Sequence, residues 1–380
     1  MLEQRPTGVD LIKAMDEKNR AVRTRSLDVS FNELFDMYNE KELIISPEYQ
    51  RLFRWSEDKQ SRFIESLLLE LPVPPIFVVE REEGIYELID GLQRISSYLH
   101  FRGSLPNPHE DEEEMFPPSL ALTGCDIVSE LDGLTYENLP QALQIKLKRN
   151  FIRVEVIRKE SDQRLRYYMF KRLNTGGENL SDQEIRNCVI RLLDNTFNEH
   201  IIEISQHSDF VECISNISDE QRKQRYDQEL VLRFYAFKNY RGKYVHDVGD
   251  FMTEYMEAAS DPQRADVEFD YEKETRVFDR TFKILRATLG QHAFSKMNVR
   301  GTFVSKLLSY HYESFTQGIQ PYLERLDPTD TTSMQKLREA LTTIKKDQEF
   351  IDLTTGGGKN FASYLAKRIE FVEKGIEAVL

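Results

Sequence analysis

An α+β protein is what this sequence predicts: an α/β domain over residues 26–160, a mostly α-helical domain over residues 161–380, and an N-terminal extension of residues 1–25 outside both. Three observations predict it. The 380 residues, 40% of them hydrophobic, suffice for one large core or two smaller ones, since domains usually hold ~100 to 200 residues. From Arg25 to Arg158 short apolar runs interleave with helical stretches, the mark of strands and helices in alternation. Beyond Ser161 the apolar positions recur at helical spacing in one segment after another.

The elements follow in order. Ser30 and Glu33 form a capping box that opens a helix running to Tyr38. Leu43-Ile44-Ile45 reads as a short strand. Ser56 caps the next helix, with Glu57 and Asp58 at the positive end of its dipole and Phe63, Ile64, Leu67 and Leu68 on one face. The prolines of residues 71–75 (LPVPP) must end it. Residues 76–80 and 85–89 form a hairpin around Arg81-Glu82-Glu83-Gly84, and its second strand runs straight into Asp90-Gly91 and a helix over residues 92–101. Further strands are expected over residues 121–127 and 151–157, separated by a helix over residues 139–148. In the second half, helices are expected over residues 162–172, 182–193, 228–239, 248–258, 274–289, 302–317, 332–345 and 361–378.

Composition narrows the function classes. No run of 18 apolar residues exists, and the charged stretch from Met1 to Arg25 lacks the apolar run of a secretory signal, so no membrane partner and a cytoplasmic location are expected. Cys125, Cys188 and Cys213 lie far apart without CxxC spacing, which fits reduced, buried thiols and excludes a cysteine-based zinc site. A net charge of −14 argues against wrapping nucleic acid over a large surface but leaves room for a local basic groove. The acidic run of residues 109–114 (HEDEEE) reads as a solvated loop.

Three segments carry candidate chemistry. Asp90-Gly91-Leu92-Gln93-Arg94 stands where a strand ends and a helix begins, a ready anion site because the first N–H groups of a helix lack internal partners. Gly91 would let the backbone approach a phosphate, Arg94 would add a bidentate contact, and Gln93 would orient a water or bind nucleotide. Asp90 makes sense beside phosphates if it holds a divalent metal or positions an attacking water; otherwise the pentapeptide is a structural turn. Residues 47–55 (PEYQRLFRW) pack two arginines, Gln50 and three aromatics into nine positions, suited to a nucleotide or an extruded base, or else to covering the core. Residues 173–181 (LNTGGENLS) could form an anion nest at Gly176 and Gly177, or simply link two helices, the second opened by a capping box of Ser181 and Glu184.

In order and spacing these segments, with residues 227–234 (DQELVLRF), resemble the successive signatures of the N-terminal domain family of GmrSD-type modification-dependent restriction systems, strongly over residues 26–260. The resemblance implies a ParB/sulfiredoxin-like α/β core followed by helices, a role in bacterial defence against foreign or modified DNA, and binding or hydrolysis of an NTP with Mg2+. It carries over Asp90, Gly91, Gln93 and Arg94 as the nucleotide site, with Tyr49, Gln50 and Arg51 beside it. Taken with the residue chemistry above, Asp90 and Gln93 are expected to be catalytic, Asp90 also to hold the metal, Gln50, Arg51, Gly91, Arg94, Asn174, Gly176 and Gly177 to bind nucleotide, and Tyr49, Arg54 and Trp55 to contact DNA or a base. Nucleotide, DNA and a separate nuclease or other defence subunit are the implied partners.

Two departures bear on this. The commonest central motif is Asp-Gly-Gln-Gln-Arg, whereas Leu92 stands here: if that position touches ligand, affinity or hydrolysis suffers, and if it faces the core, leucine is neutral. Full-length members usually end in an HNH-type nuclease, but the seven histidines form no close metal-ligand pair, so a stand-alone member without that domain is expected. Residues 354–360 (TTGGGKN) lack the first Gly and final Ser or Thr of a Walker loop and read as a flexible loop, and the basic stretch 222–226 (RKQRY) reads as a solvated helix start. The leading expectation is therefore a nucleotide-binding, NTP-hydrolysing sensor or regulatory subunit; a DNA-binding module with a non-hydrolytic phosphate pocket and a ParB-like nuclease are the alternatives.

Overall fold

The computed structural model describes Met15, Gln50, Met169, Arg172 and residues 23–46, 53–105, 118–161, 181–191, 193–264, 267–298 and 300–380. The chain divides into two compact units, Met1–Glu178 and Asn179–Leu380. The first holds a mixed sheet and four described helices, the second mostly helices, so the class is α+β.

In the first unit, β1 (Thr24–Ser30), β2 (Leu43–Ile44), β3 (Ile76–Glu82), β4 (Ile85–Asp90) and β5 (Phe151–Ile157) line up in the order β1-β5-β3-β4-β2. β1/β5 and β3/β4 are antiparallel, whereas β5/β3 and β4/β2 are parallel. Alternation explains β5: Ile152, Val154 and Val156 are buried while Phe151 and Arg153 are exposed. The helices are α1 (Phe31–Asn39), α2 (Glu57–Leu68), α3 (Leu92–Phe101) and α4 (Gln141–Arg149). Ser30 and Ser56 cap α1 and α2 by accepting from Glu33 N–H and Lys59 N–H.

Two sequence expectations fail, each for a tertiary reason. Residues 121–127 are not a strand, because their N–H groups find other acceptors. Glu65, 2% exposed on α2, accepts from Asp126, Ile127 and Val128 at 3.1, 2.9 and 2.6 Å. One buried carboxylate thus does for three consecutive amides what a neighbouring strand would have done. Residues 302–317 are not one helix: β6 (Ser295–Met297) and β7 (Phe303–Leu307) form a hairpin, closed by Asn298 N–H to Thr302 O and Gly301 N–H to Asn298 O, and the helix starts only at Ser309. β1 went unread in the sequence because only Val29 of its seven residues is buried, so no apolar pattern marks it. The expected helix over residues 162–172 falls mostly outside the described residues.

The second unit contains α5 (Asp182–Ile190), α6 (Thr196–Ile204), α7 (Ser208–Cys213), α8 (Asp219–Lys223), α9 (Tyr226–Asn239), α10 (Val248–Ser260), α11 (Tyr271–Thr288), α12 (Ser309–Gly318), α13 (Thr331–Lys346), α14 (Gln348–Thr354) and α15 (Ala362–Glu377). α9 is its axle: every residue from Leu230 to Phe237 is buried, and Phe234 packs on Phe278 and Phe282 of α11 at ring separations of 5.2 and 5.9 Å. Seven of these eight residues are apolar, and a helix stretch apolar on nearly every side belongs inside a core. All three cysteines are free and buried. The basic stretch expected to start a helix both ends α8 and, through Arg225 at φ 60° as N-cap, starts α9 at Tyr226. The glycine-rich loop after α14 is tied down by its own lysine, since Lys359 Nζ donates to the carbonyls of Asp352 and Thr355.

This core buries two basic groups without a carboxylate. Lys345 Nζ donates to the carbonyls of Ala293 and Ser295, both at 2.8 Å, and lies 3.4 Å from His311 Nδ1. Burial holds Lys345 well below its ordinary 10.5. Burial, and then the adjacent Lys345, holds His311 well below its ordinary 6.5. A basic group with a depressed folded value binds fewer protons folded than unfolded, so stability falls as pH drops below the unfolded value, which is 6.5 for His311. Urea unfolding followed by far-UV circular dichroism is therefore expected to show the helical unit losing up to ~1.4 kcal/mol per pH unit below that value through His311. The His311→Asn variant should have a flatter profile, and an identical profile would contradict this account.

Candidate functional site

The junction of β4 and α3 is the centre of the first unit's candidate site. Asp90 is the last residue of β4, paired with Phe77. Gly91 then turns the chain at φ 106°, ψ 12° and serves as N-cap of α3. Glycine is required there twice over: L residues rarely adopt this φ, and a Cβ would come within 2.3 Å of Ile76 Cγ2. No side chain caps α3 and its first turn contains no acid, so the positive end of the helix is left uncompensated from within the helix. Leu92 is 4% exposed and belongs to the core with Ile95 and Leu99. The departure from the commonest motif therefore falls on the core face.

The other motif side chains reach back into their own chain. Arg94 Nη1 donates to the carbonyls of Pro74 and Pro75 at 2.7 and 3.0 Å, and its Nη2 pairs with Asp90 Oδ2 at 2.7 Å. The guanidinium so expected on phosphate instead ties the proline loop before β3 to the strand end after it. Gln93 Oε1 accepts from the backbone N–H of Arg54 and of Trp55 at 2.9 and 3.1 Å. These two bonds fasten Arg54 and Trp55 to the first turn of α3.

A polar relay that sequence reasoning missed extends from this tie. Gln60 Nε2 donates to Trp55 O at 2.7 Å, Gln60 Oε1 meets His100 Nδ1 at 2.7 Å, and His100 Nε2 meets Pro118 O at 2.9 Å. The Trp55 ring meets Phe63 edge-on at 5.9 Å. Gln60, 4% exposed, could have been suspected as a polar residue at a core-facing position of α2. His100 carried no such signal, because its partners lie 40 and 18 residues away. Gln50 donates its N–H to Ser46 O at 2.8 Å, and its Nε2 is buried without a geometric hydrogen-bond partner among the described residues. An unpaired amide donor in this segment is a place for an acceptor oxygen.

Of the remaining predicted residues, Tyr49, Arg51, Asn174, Gly176 and Gly177 lie outside the described residues. The structure thus brings together Asp90, Gly91, Gln93, Arg94, Arg54 and Trp55. The residues do not by themselves make a metal site: Arg94 takes one Asp90 oxygen, and among the described residues no group of three or more His, Cys, Asp or Glu could hold an ion. The later motif segments meet inside the second unit. Ser181 and Glu184 form the expected capping box, Gln183 Nε2 donates to Asn187 Oδ1 at 2.8 Å, and Asn187 Nδ2 donates to Gln228 Oε1 at 2.6 Å.

Residues 31–191 match the family described as GmrSD restriction endonuclease, N-terminal domain. No curated protein and no solved structure gave a match. No helix among the described residues is long and apolar enough to cross a membrane.

Proposed function

We propose that this chain, which carries a GmrSD restriction endonuclease N-terminal domain over residues 31–191, is a nucleotide-binding sensor or regulatory subunit of a restriction system directed at DNA. The observation that supports it most is the Gln93 tie, which sets the segment bearing Gln50, Arg54 and Trp55 against the uncapped start of α3. Phosphate oxygens would take the helix-start N–H groups and the spare Gln50 amide, and the half-buried Trp55 ring offers a face to a base. Asp90 and Arg94 then act as positioning residues that hold the junction open. Magnesium would arrive with the nucleotide's phosphates. DNA and a separate nuclease or other defence subunit are the partners this reading expects.

Trp55 is the chain's single tryptophan, so its fluorescence can be titrated with each NTP, with and without magnesium, alongside phosphate release. Saturable quenching by at least one nucleotide is expected. Gln93→Ala, which leaves two backbone donors unpaired, should weaken it at least tenfold, about 1.4 kcal/mol. No binding of any nucleotide by fluorescence and equilibrium dialysis would overturn the proposal. Salt-sensitive DNA binding that falls on Arg94→Ala, in a chain that binds no nucleotide, would instead favour a DNA-binding module with a non-hydrolytic phosphate pocket.

A further inference from the structure

The helical unit carries a groove of about 970 Å³ along α11, lined among others by Lys273, Arg276, Arg280 and Lys283. These positions follow the spacing i, i+3, i+7, i+10, so they share one face of the helix. At 1.5 Å per residue they span roughly 15 Å along its axis. In a chain of net charge −14 such a run of cations is not the average surface.

The charge on this face is not cancelled from within. Arg280 is fixed by neutral acceptors, donating to Leu323 O at 2.7 Å and Leu326 O at 3.0 Å. The side chains of Lys273 and Lys283 have no partner among the described residues, and Arg276 has only a 3.6 Å pairing with Glu272, both side chains strongly exposed. The acids of α11 are otherwise engaged: Glu274 turns inward to Lys238 at 2.8 Å, and Asp279 holds His207 Nδ1 at 2.6 Å. Asp209 is paired with Arg286, and the other carboxylates of the lining are Asp279, hydrogen-bonded to His207, and Glu324, against the four cations of α11.

The lining also excludes occupants. Its aromatic residues Phe210, Phe278 and Phe282 are fully buried, and none of the exposed large hydrophobic residues borders the groove. With these rings buried, it offers no stacking platform for unpaired bases. What remains is a row of cations at regular spacing, which suits the regularly spaced phosphates of a duplex.

We infer that the α11 groove binds the phosphate backbone of double-stranded DNA without regard to sequence, through Lys273, Arg276 and Lys283, with Arg280 fixed between them. The inference stands on the helical unit alone and does not depend on nucleotide binding by the other unit.

The full-length chain, without nucleotide, is titrated into fluorescently labelled DNA duplexes of unrelated sequence, and binding is followed by anisotropy at rising salt. Three phosphate contacts predict a log–log salt slope near −2.7 and a loss of about 40-fold between about 50 and 200 mM salt. The triple variant Lys273→Gln, Arg276→Gln, Lys283→Gln should bind at least about tenfold more weakly with a slope near zero. A control with Lys336→Gln and Arg338→Gln, exposed cations of α13, should bind like the parent chain. Circular dichroism checks that each variant is folded. No duplex binding at low salt, a triple variant with the parent's affinity and slope, or equal loss in the control would overturn the inference. So would a marked preference for duplex RNA or single strands over duplex DNA. Failure of the nucleotide titration at Trp55 leaves these outcomes unaffected, because the DNA assay contains no nucleotide.

Discussion

Glu313→Gln is expected to destabilise the helical unit by about 3 to 5 kcal/mol, the cost of stranding buried charge. Glu313 is 2% exposed, accepting from Arg233 at 2.7 Å through Oε1 and from Arg368 at 2.9 Å through Oε2. Arg233 also donates to Glu229 at 3.0 Å, and Glu229 stands 3.6 Å from Arg186. Three arginines and two glutamates thus alternate through the core, with Glu313 the only carboxylate between Arg233 and Arg368. With that charge gone, Arg368 keeps the Lys359 carbonyl at 2.9 Å and the Tyr310 ring at 4.2 Å, and at 1% exposure it cannot recover water. Arg368→Met should cost less, because Glu313 would still be paired with Arg233. Combining it with Glu313→Leu should recover part of the loss. Urea unfolding by far-UV circular dichroism measures all three; a Glu313→Gln chain within about 1 kcal/mol of the parent would mean that the alternation is not stabilising as argued.

Gly91→Ala is expected to cost the sheet-bearing unit about 3 kcal/mol, the sum of two separable contributions. A left-handed backbone at φ 106° costs an L residue roughly 1 to 2 kcal/mol. The new Cβ, 2.3 Å from Ile76 Cγ2, adds an overpacking cost of roughly 1 to 3 kcal/mol. Ile76 itself is fully buried, so it cannot move aside into solvent. Trp55 fluorescence reports on this unit alone, being the chain's single tryptophan. In the Ile76→Ala background the second contribution should shrink, because the Cγ2 contact goes while the Cβ of residue 76, 2.9 Å from the new Cβ, stays, so the two substitutions together should cost less than their separate losses added. Strict additivity would rule out the clash.

Much of the architecture was legible because helices announce themselves locally. The bounds of α3 match the sequence reading residue for residue, and Ser30, Ser56 and Ser181 each cap the helix they were expected to open. Capping depends on atoms three residues apart. The strands were legible where they were apolar, as in β3, β4 and β5. The polar edge strand β1 was not, since its existence rests on pairing with residues more than a hundred positions away. Residues 121–127 have strand-like composition, yet Glu65 and Ser61, some 60 positions earlier, take the N–H groups of Asp126, Ile127 and Thr123.

By itself, then, the sequence determined the two-part α+β plan, the strand-to-helix junction at Asp90-Gly91 and the identity of the residues gathered around it. The tertiary structure alone decided what those residues touch. Gln93 and Arg94 were read as ligand-binding because amide and guanidinium groups bind phosphates well. In the folded chain Gln93 accepts from Arg54 and Trp55 N–H, and Arg94 donates to the carbonyls of Pro74 and Pro75. The physical reason is that a polar side chain's hydrogen-bonding capacity is written in its chemistry, while its partner is set by which backbone groups folding brings within about 3 Å. The same reason left Gln50 Nε2 unpaired and the α11 cations on the wall of an open groove.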